Sequence, residues 1–219
     1  AWGGAQELYG VKPDLACYAK AIGGGYPLSA IAGRRDLLRL ADNTRPASET
    51  YSYLGGTLTG NPISAAAGLA CLNVLKRPGT YERLRALGAR LRDGLEEAGR
   101  GAGVPVQALG EGPVLSPLIT ENRSLRTARD LATVDKKRMV RWAHEMIDRG
   151  FLLTPGGKMY VSLVHTDEDI ERTIGAAREA LFRGDLAIDG MALSGELSST
   201  LDARPRIAGS LRAPAELRL

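Results

Sequence analysis

Asp14-Leu15-Ala16-Cys17-Tyr18-Ala19-Lys20-Ala21-Ile22-Gly23-Gly24-Gly25-Tyr26-Pro27-Leu28 is the stretch around which the chain is organised. The apolar run Leu15–Tyr18 predicts a short strand, and a single lysine separates it from three consecutive glycines. An isolated lysine is ordinarily a solvated surface charge. Lys20 has apolar neighbours on both sides and is expected at the end of a buried strand, partly desolvated. Desolvation favours the neutral amine, the form that attacks carbonyl groups. Pro13 and Asp14 set the start of the strand, and the glycines permit backbone angles and close approaches that side chains forbid.

Working outward, Leu28–Gly33 is a second short apolar run and a candidate buried strand. Arg34–Ala41 reads as a short helix and Asp42–Thr50 as a polar loop, while the residues ahead of Leu15 read as loop. Tyr51-Ser52-Tyr53-Leu54-Gly55-Gly56-Thr57-Leu58-Thr59-Gly60-Asn61-Pro62 follows, with Asn61 placed as a helix N-cap and Pro62 at the first helical position. The alanine-rich helix Ala65–Leu75 is expected to be buried on several faces. Lys76-Arg77-Pro78-Gly79 breaks it. Thr80 is placed as the cap of a further helix whose inner face carries Leu84, Leu87, Leu91 and Leu95, with Arg85, Arg92 and Glu96 opposite.

Short strands are expected at Val104–Val106 and Val114–Ile119 around a Gly110-Glu111-Gly112 turn. The helix over 135–149 has Asp135 as N-cap and Val140, Ala143 and Ile147 inward. Phe151–Thr154 and Met159–Val164 are strand candidates separated by Pro155-Gly156-Gly157. Thr166 with Asp169 is a capping pair, and Ile170, Ile174, Ala177 and Leu181 line the final helix. Beyond Gly184 the periodicity stops. These patterns predict a mixed α/β chain: residues 1–77 as part of a larger α/β domain, 78–186 as a small α+β domain, and 187–219 as a poorly ordered tail.

Composition narrows the function. Of 219 residues, 44% are hydrophobic and 25% charged, the range of an ordinary globular protein. The net charge of +4 is not gathered into a basic block interleaved with aromatics, which argues against a nucleic-acid partner. No apolar run reaches the length of a membrane span and no signal-peptide pattern opens the chain, so no membrane partner and a cytoplasmic location are expected. Two cysteines, Cys17 and Cys71, make neither a disulfide framework nor a metal site, and both are expected to be buried. The triple glycine is not a dinucleotide fingerprint, and no Gly-Lys-Ser/Thr marks a nucleotide loop. His144 reads as a surface or packing histidine, and His165 as structural support before a helix.

Pro13-Asp14-Leu15 with Lys20-Ala21-Ile22-Gly23-Gly24-Gly25-Tyr26-Pro27-Leu28 resembles the lysine segment of class III aminotransferases, fold-type I enzymes dependent on pyridoxal 5′-phosphate (PLP). Gly56-Thr57-Leu58-Thr59-Gly60-Asn61-Pro62 resembles a second signature. Ser162-Leu163-Val164-His165-Thr166-Asp167-Glu168-Asp169-Ile170 resembles a third, in the branch of the glutamate-1-semialdehyde aminomutases.

The resemblance implies a Schiff base between Lys20 and PLP, with Lys20 also moving the substrate proton. It implies that Gly56 and Thr57 bind the PLP phosphate, Thr57 from the neighbouring subunit, in an obligate homodimer with composite sites. Tyr53 would line the site more weakly. The implied reaction is transamination between a small-molecule amino donor and a keto or aldehyde acceptor, with no metal. An aminomutase is the alternative, and a non-catalytic or partner-completed fragment a second one. The family's ring-pairing aspartate, stacking aromatic and first phosphate loop precede its lysine and have no match here. The chain is therefore expected to be the C-terminal half of a longer protein. At Gly156-Gly157-Lys158-Met159 it also lacks an acidic residue that the aminomutases carry, a departure that favours an aminotransferase.

Overall fold

The computed structural model describes residues 1–46, 49–154 and 157–186. The 187–219 tail and the Pro155-Gly156 part of the turn lie outside the described residues. Six helices and five strands are described.

Helix α1 (Ala5–Tyr9) is a single exposed turn in the stretch read as loop. Ala5, Leu8 and Tyr9 share one side of it, but five residues are too short for that spacing to stand out from a loop. Strand β1 (Leu15–Ala19) pairs antiparallel with β2 (Ser29–Gly33), from Leu15 opposite Gly33 to Ala19 opposite Ser29. A 3-10 turn over Lys20–Gly23 begins the connection between them. At the open end Arg34 bonds Asp14 at 2.9 Å and also pairs with Asp36, whose carboxyl it holds below its ordinary range. Helix α2 (Arg35–Leu38) and a further 3-10 turn at Arg39–Ala41 match the short helix expected there.

Helix α3 (Pro62–Leu75) starts as the sequence predicts, with Asn61 Oδ1 accepting the Ser64 N–H at 3.0 Å and Pro62 in the first turn. Its burial differs from expectation. Ser64 and Gly68 are its buried residues, and Ile63, Leu69, Leu72 and Val74 are exposed. Strand β2 is likewise exposed along its whole length, although a buried strand was expected. The cause is architectural: the sheet here has two strands, and among the described residues no helix or further strand packs over their outer faces. Cys17 is exposed for the same reason, and Cys71 is half-buried.

Helix α4 (Thr80–Gly101) buries Leu84, Leu87, Leu91 and Leu95 as their spacing predicts. Its N-cap is Gly79, not Thr80; Thr80 is the first helical residue, and its hydroxyl bonds back to the Val74 carbonyl at 3.4 Å. On the opposite face Arg85 is exposed, while Arg92 and Glu96 are half-buried: Arg92 donates to the Gly112 carbonyl at 3.0 Å and Glu96 accepts the Ala108 N–H at 2.9 Å. Gly88 lies so close to the β3–β4 turn that a Cβ there would overlap the Gly112 carbonyl oxygen.

Strands β3 (Val106–Glu111) and β4 (Val114–Ile119) form an antiparallel hairpin, so the first strand runs later than Val104–Val106. Strand β5 is short, Met159–Tyr160, pairing with β4; Phe151–Thr154 is not a strand.

Helix α5 (Lys136–Asp148) is capped by Asp135, whose carboxylate accepts the Arg138 N–H at 3.0 Å. Its inner face is Met139, Trp142, Ala143 and Met146, rotated from the Val140–Ala143–Ile147 face; Val140 and Ile147 are exposed. Helix α6 (Asp167–Leu186) has the expected Thr166–Asp169 cap and buries Ile170, Ile174, Ala177 and Leu181. One apolar cluster running from Leu87 to Leu181 joins α4, α5, α6 and the three-stranded sheet.

Across the α4–α6 seam, Arg83 and Arg90 reach Asp167 at 2.7 and 2.9 Å, and Arg90 reaches Glu171 at 2.7 Å. Bonding first to Arg83 and then to Arg90 holds the Asp167 carboxyl below its ordinary value of 3.8. A depressed folded-state value stabilises the fold above the unfolded value, and that contribution is lost as pH falls through the folded one. Asp167→Asn should therefore melt below wild type at neutral pH, with the gap closing as pH falls below the ordinary value and through the depressed one, and shrinking in salt, since the pairs are exposed. Thermal melts from pH 7 to 2 check this; a constant gap would contradict it.

Candidate active site

The β1 strand delivers Lys20 to the start of the 3-10 turn, and its backbone is unusual. Lys20 has φ +56°, the one positive value at a non-glycine among the described residues. The left-handed region brings Cβ too close to the following carbonyl oxygen, at a cost of about 1–2 kcal/mol. Such strain persists where surrounding structure enforces it and collects at functional positions. Gly24 and Gly25 continue the turn with φ +58° and +99°.

Lys20 itself is exposed, so the expected desolvation is absent in this chain. Apolar neighbours in sequence bury a side chain only if other elements cover the strand, and among the described residues β1 pairs with β2 alone. Among the described residues Lys20 Nζ has no hydrogen bond or ion pair.

Gly56 belongs to the loop leading into α3. With Leu28, Ser29, Ile31, Asn61 and Ser64 it borders a cavity of about 550 Å³ between β2 and the start of α3. Thr57 lies in the same loop, held by Thr59 N–H to Gly56 C=O (2.9 Å) and Asn61 N–H to Leu58 C=O (3.1 Å). The N–H groups of Gly56 and Thr57 and the Thr57 hydroxyl make no hydrogen bond among the described residues. Three free donors just ahead of a 14-residue helix make a setting suited to an anion. Lys20 does not line this cavity, and neither does Thr57. Tyr53 is exposed, with its hydroxyl close over Gly55.

The histidines are peripheral to this arrangement. His165 Nδ1 accepts the Ser162 N–H at 2.9 Å, a structural bond at the start of α6, and His144 is exposed on α5. No group of three or more His, Cys, Asp or Glu suited to a metal occurs among the described residues. No described helix is long and apolar enough to cross a membrane. The sequence singles out Lys20 as a candidate, but its strained backbone is signalled by no composition or spacing.

The family description "Aminotransferase class-III" matches residues 2–181. An omega-transaminase from Sphaerobacter thermophilus is 30% identical and superposes with a TM-score of 0.73, over 84% of this chain and 41% of its own. A transaminase with PLP bound is 25% identical with a TM-score of 0.70, over 88% of this chain and 43% of the other. A glutamate-1-semialdehyde-aminomutase from Pseudomonas aeruginosa PAO1 shares the fold, at 22% identity and a TM-score of 0.71, over 84% of this chain and 42% of its own. The chain spans about two fifths of the length of these relatives. Its described residues form part of the mixed α/β fold of the PLP-dependent transaminases.

Proposed function

Because the chain belongs to the class III aminotransferases, a PLP-dependent family, we propose that it carries the reactive lysine and a phosphate cradle of a transaminating enzyme. That enzyme moves an amino group between a small-molecule amino donor and a keto or aldehyde acceptor. The observation that carries the reading is Lys20: an unpaired amine on a backbone held at φ +56°, at the point where a strand ends in a glycine turn.

The donor set fits the cofactor. A free amine at Lys20 answers its aldehyde, and the unpaired Gly56 and Thr57 N–H groups with the Thr57 hydroxyl answer its phosphate. When bound, PLP supplies an aldehyde that condenses with amines and a ring that draws electrons from the substrate α-carbon. Lys20 Nζ would take the proton from that carbon and deliver it to the cofactor carbon that had been the aldehyde (C4′), acting as base and then as acid. Gly56 and Thr57 fix the phosphate end and so orient the reacting end.

The site is, in this reading, built from two copies of the chain, with Thr57 serving its neighbour's Lys20. In this reading residues 1–77 belong to the cofactor-binding domain and 78–186 to a smaller one. The absence of an acid from Gly156-Gly157-Lys158-Met159 supports a transaminase over an aminomutase.

Thr57→Ala tests the cradle. Losing a hydroxyl donor to a charged phosphate costs about 1.5–3 kcal/mol, so PLP should bind about tenfold or more weakly. Pyridoxal, which lacks the phosphate, should bind both proteins alike in fluorescence titrations. An equal loss for pyridoxal and PLP would contradict the assignment.

A further inference from the structure

Directly behind the Lys20 turn lies one face of α3, and we infer that Gly68 and Cys71 on that face are positioning residues for Lys20. The inference rests on the reading of Lys20 as the reacting amine. A side-chain-bearing residue at φ +56° returns to a common backbone region unless its surroundings prevent it. The surroundings here are specific. The carbonyl of Ala21, the residue after Lys20, accepts two hydrogen bonds: the Gly24 N–H at 3.2 Å closes the turn, and the Cys71 thiol at 3.2 Å ties it to α3.

One helical turn earlier, Gly68 makes the approach possible. A Cβ there would run into Leu28 Cδ2 and come within 3.3 Å of the Ile22 carbonyl oxygen. Gly24 sits on the same surface; a Cβ on it would meet Cys71 Cβ at 3.6 Å and the Ala67 carbonyl at 3.9 Å. Ala67, Gly68 and Cys71 recur on one helix face and are the part of mid-α3 that is not exposed. Neither Gly68 nor Cys71 bonds the Lys20 amine. They act on the two residues after it, and through them set the backbone that aims Nζ.

Removing the thiol leaves the Ala21 carbonyl with one donor instead of two. Adding a methyl group at Gly68 pushes Ile22 and Leu28 off the helix. Both changes free the turn while leaving the Lys20 side chain intact.

The test follows PLP capture at Lys20 over time in the purified protein, by borohydride trapping and peptide mass, with the thermal midpoint measured alongside. Cys71→Ala should slow capture about fivefold, the effect of one lost hydrogen bond. Cys71→Ser, which keeps a donor, should restore most of the rate. Gly68→Ala should slow capture about tenfold or more through overpacking, and Leu28→Ala in the same chain should recover part of it. Wild-type capture rates in both single variants would overturn the inference. So would a Cys71→Ser protein as slow as Cys71→Ala, because the donor would then not matter. A wild-type protein that captured no PLP at Lys20 would instead overturn the functional reading, and the inference with it.

Discussion

Lys20→Ala is expected to abolish amino exchange between donor and keto acid, with a loss of about a thousandfold or more, because it removes both the covalent amine and the proton carrier. Lys20→Gly should be equally inactive, yet the two variants should differ in stability. Alanine at φ +56° keeps the left-handed strain, whereas glycine populates that region freely. Lys20→Gly should therefore unfold at the higher denaturant concentration, by about 1 kcal/mol. Equal stabilities would mean that the strained turn is not maintained in solution. An active Lys20→Ala protein would remove Lys20 from the chemistry.

The largest effect on stability is expected at Leu95, which is 1% exposed at the centre of the cluster linking α4, α5, α6 and the sheet. Leu95→Ala removes buried apolar surface and leaves a cavity that close-packed neighbours cannot fully close. The cost should be about 3 kcal/mol, and the melting temperature should fall by about 10 °C. Leu131→Ala, at an exposed position, should change it by less than about 2 °C. Calorimetry on both variants checks the contrast; equal shifts would show that this cluster does not dominate the stability.

Sequence patterning served well wherever a segment carries its whole environment with it. Helices α4 and α6 have apolar residues at helical spacing, and the core that buries those residues lies within the chain. Caps are local in the same way: Asn61, Asp135 and the Thr166–Asp169 pair bond backbone groups three residues away. The face of α5 was harder, because Met139, Trp142 and Met146 compete with Val140 and Ile147 for an inward stripe, and only the packing against α6 and β4 selects between them.

Burial in residues 1–77 was not legible at all. Apolar sequences predict buried strands and a buried α3, but what covers them depends on surfaces beyond the local sequence. In this chain β2 and most of α3 are exposed. The site shows the same division. Lys20 and the Gly56–Thr57 loop are candidates that motifs alone single out. The strain at Lys20 and its support from Gly68 and Cys71 join residues about fifty positions apart, a relation that no local pattern encodes.

The central claim is that Lys20 is the amine that captures PLP. It is tested most directly by adding PLP to the purified protein, reducing with borohydride, digesting, and locating the added mass. The account predicts one phosphopyridoxyl group per chain, on the peptide containing Lys20, and none in Lys20→Ala. Label found on Lys12, Lys76 or Lys158 in place of Lys20, or equal labelling of wild type and Lys20→Ala, would contradict it.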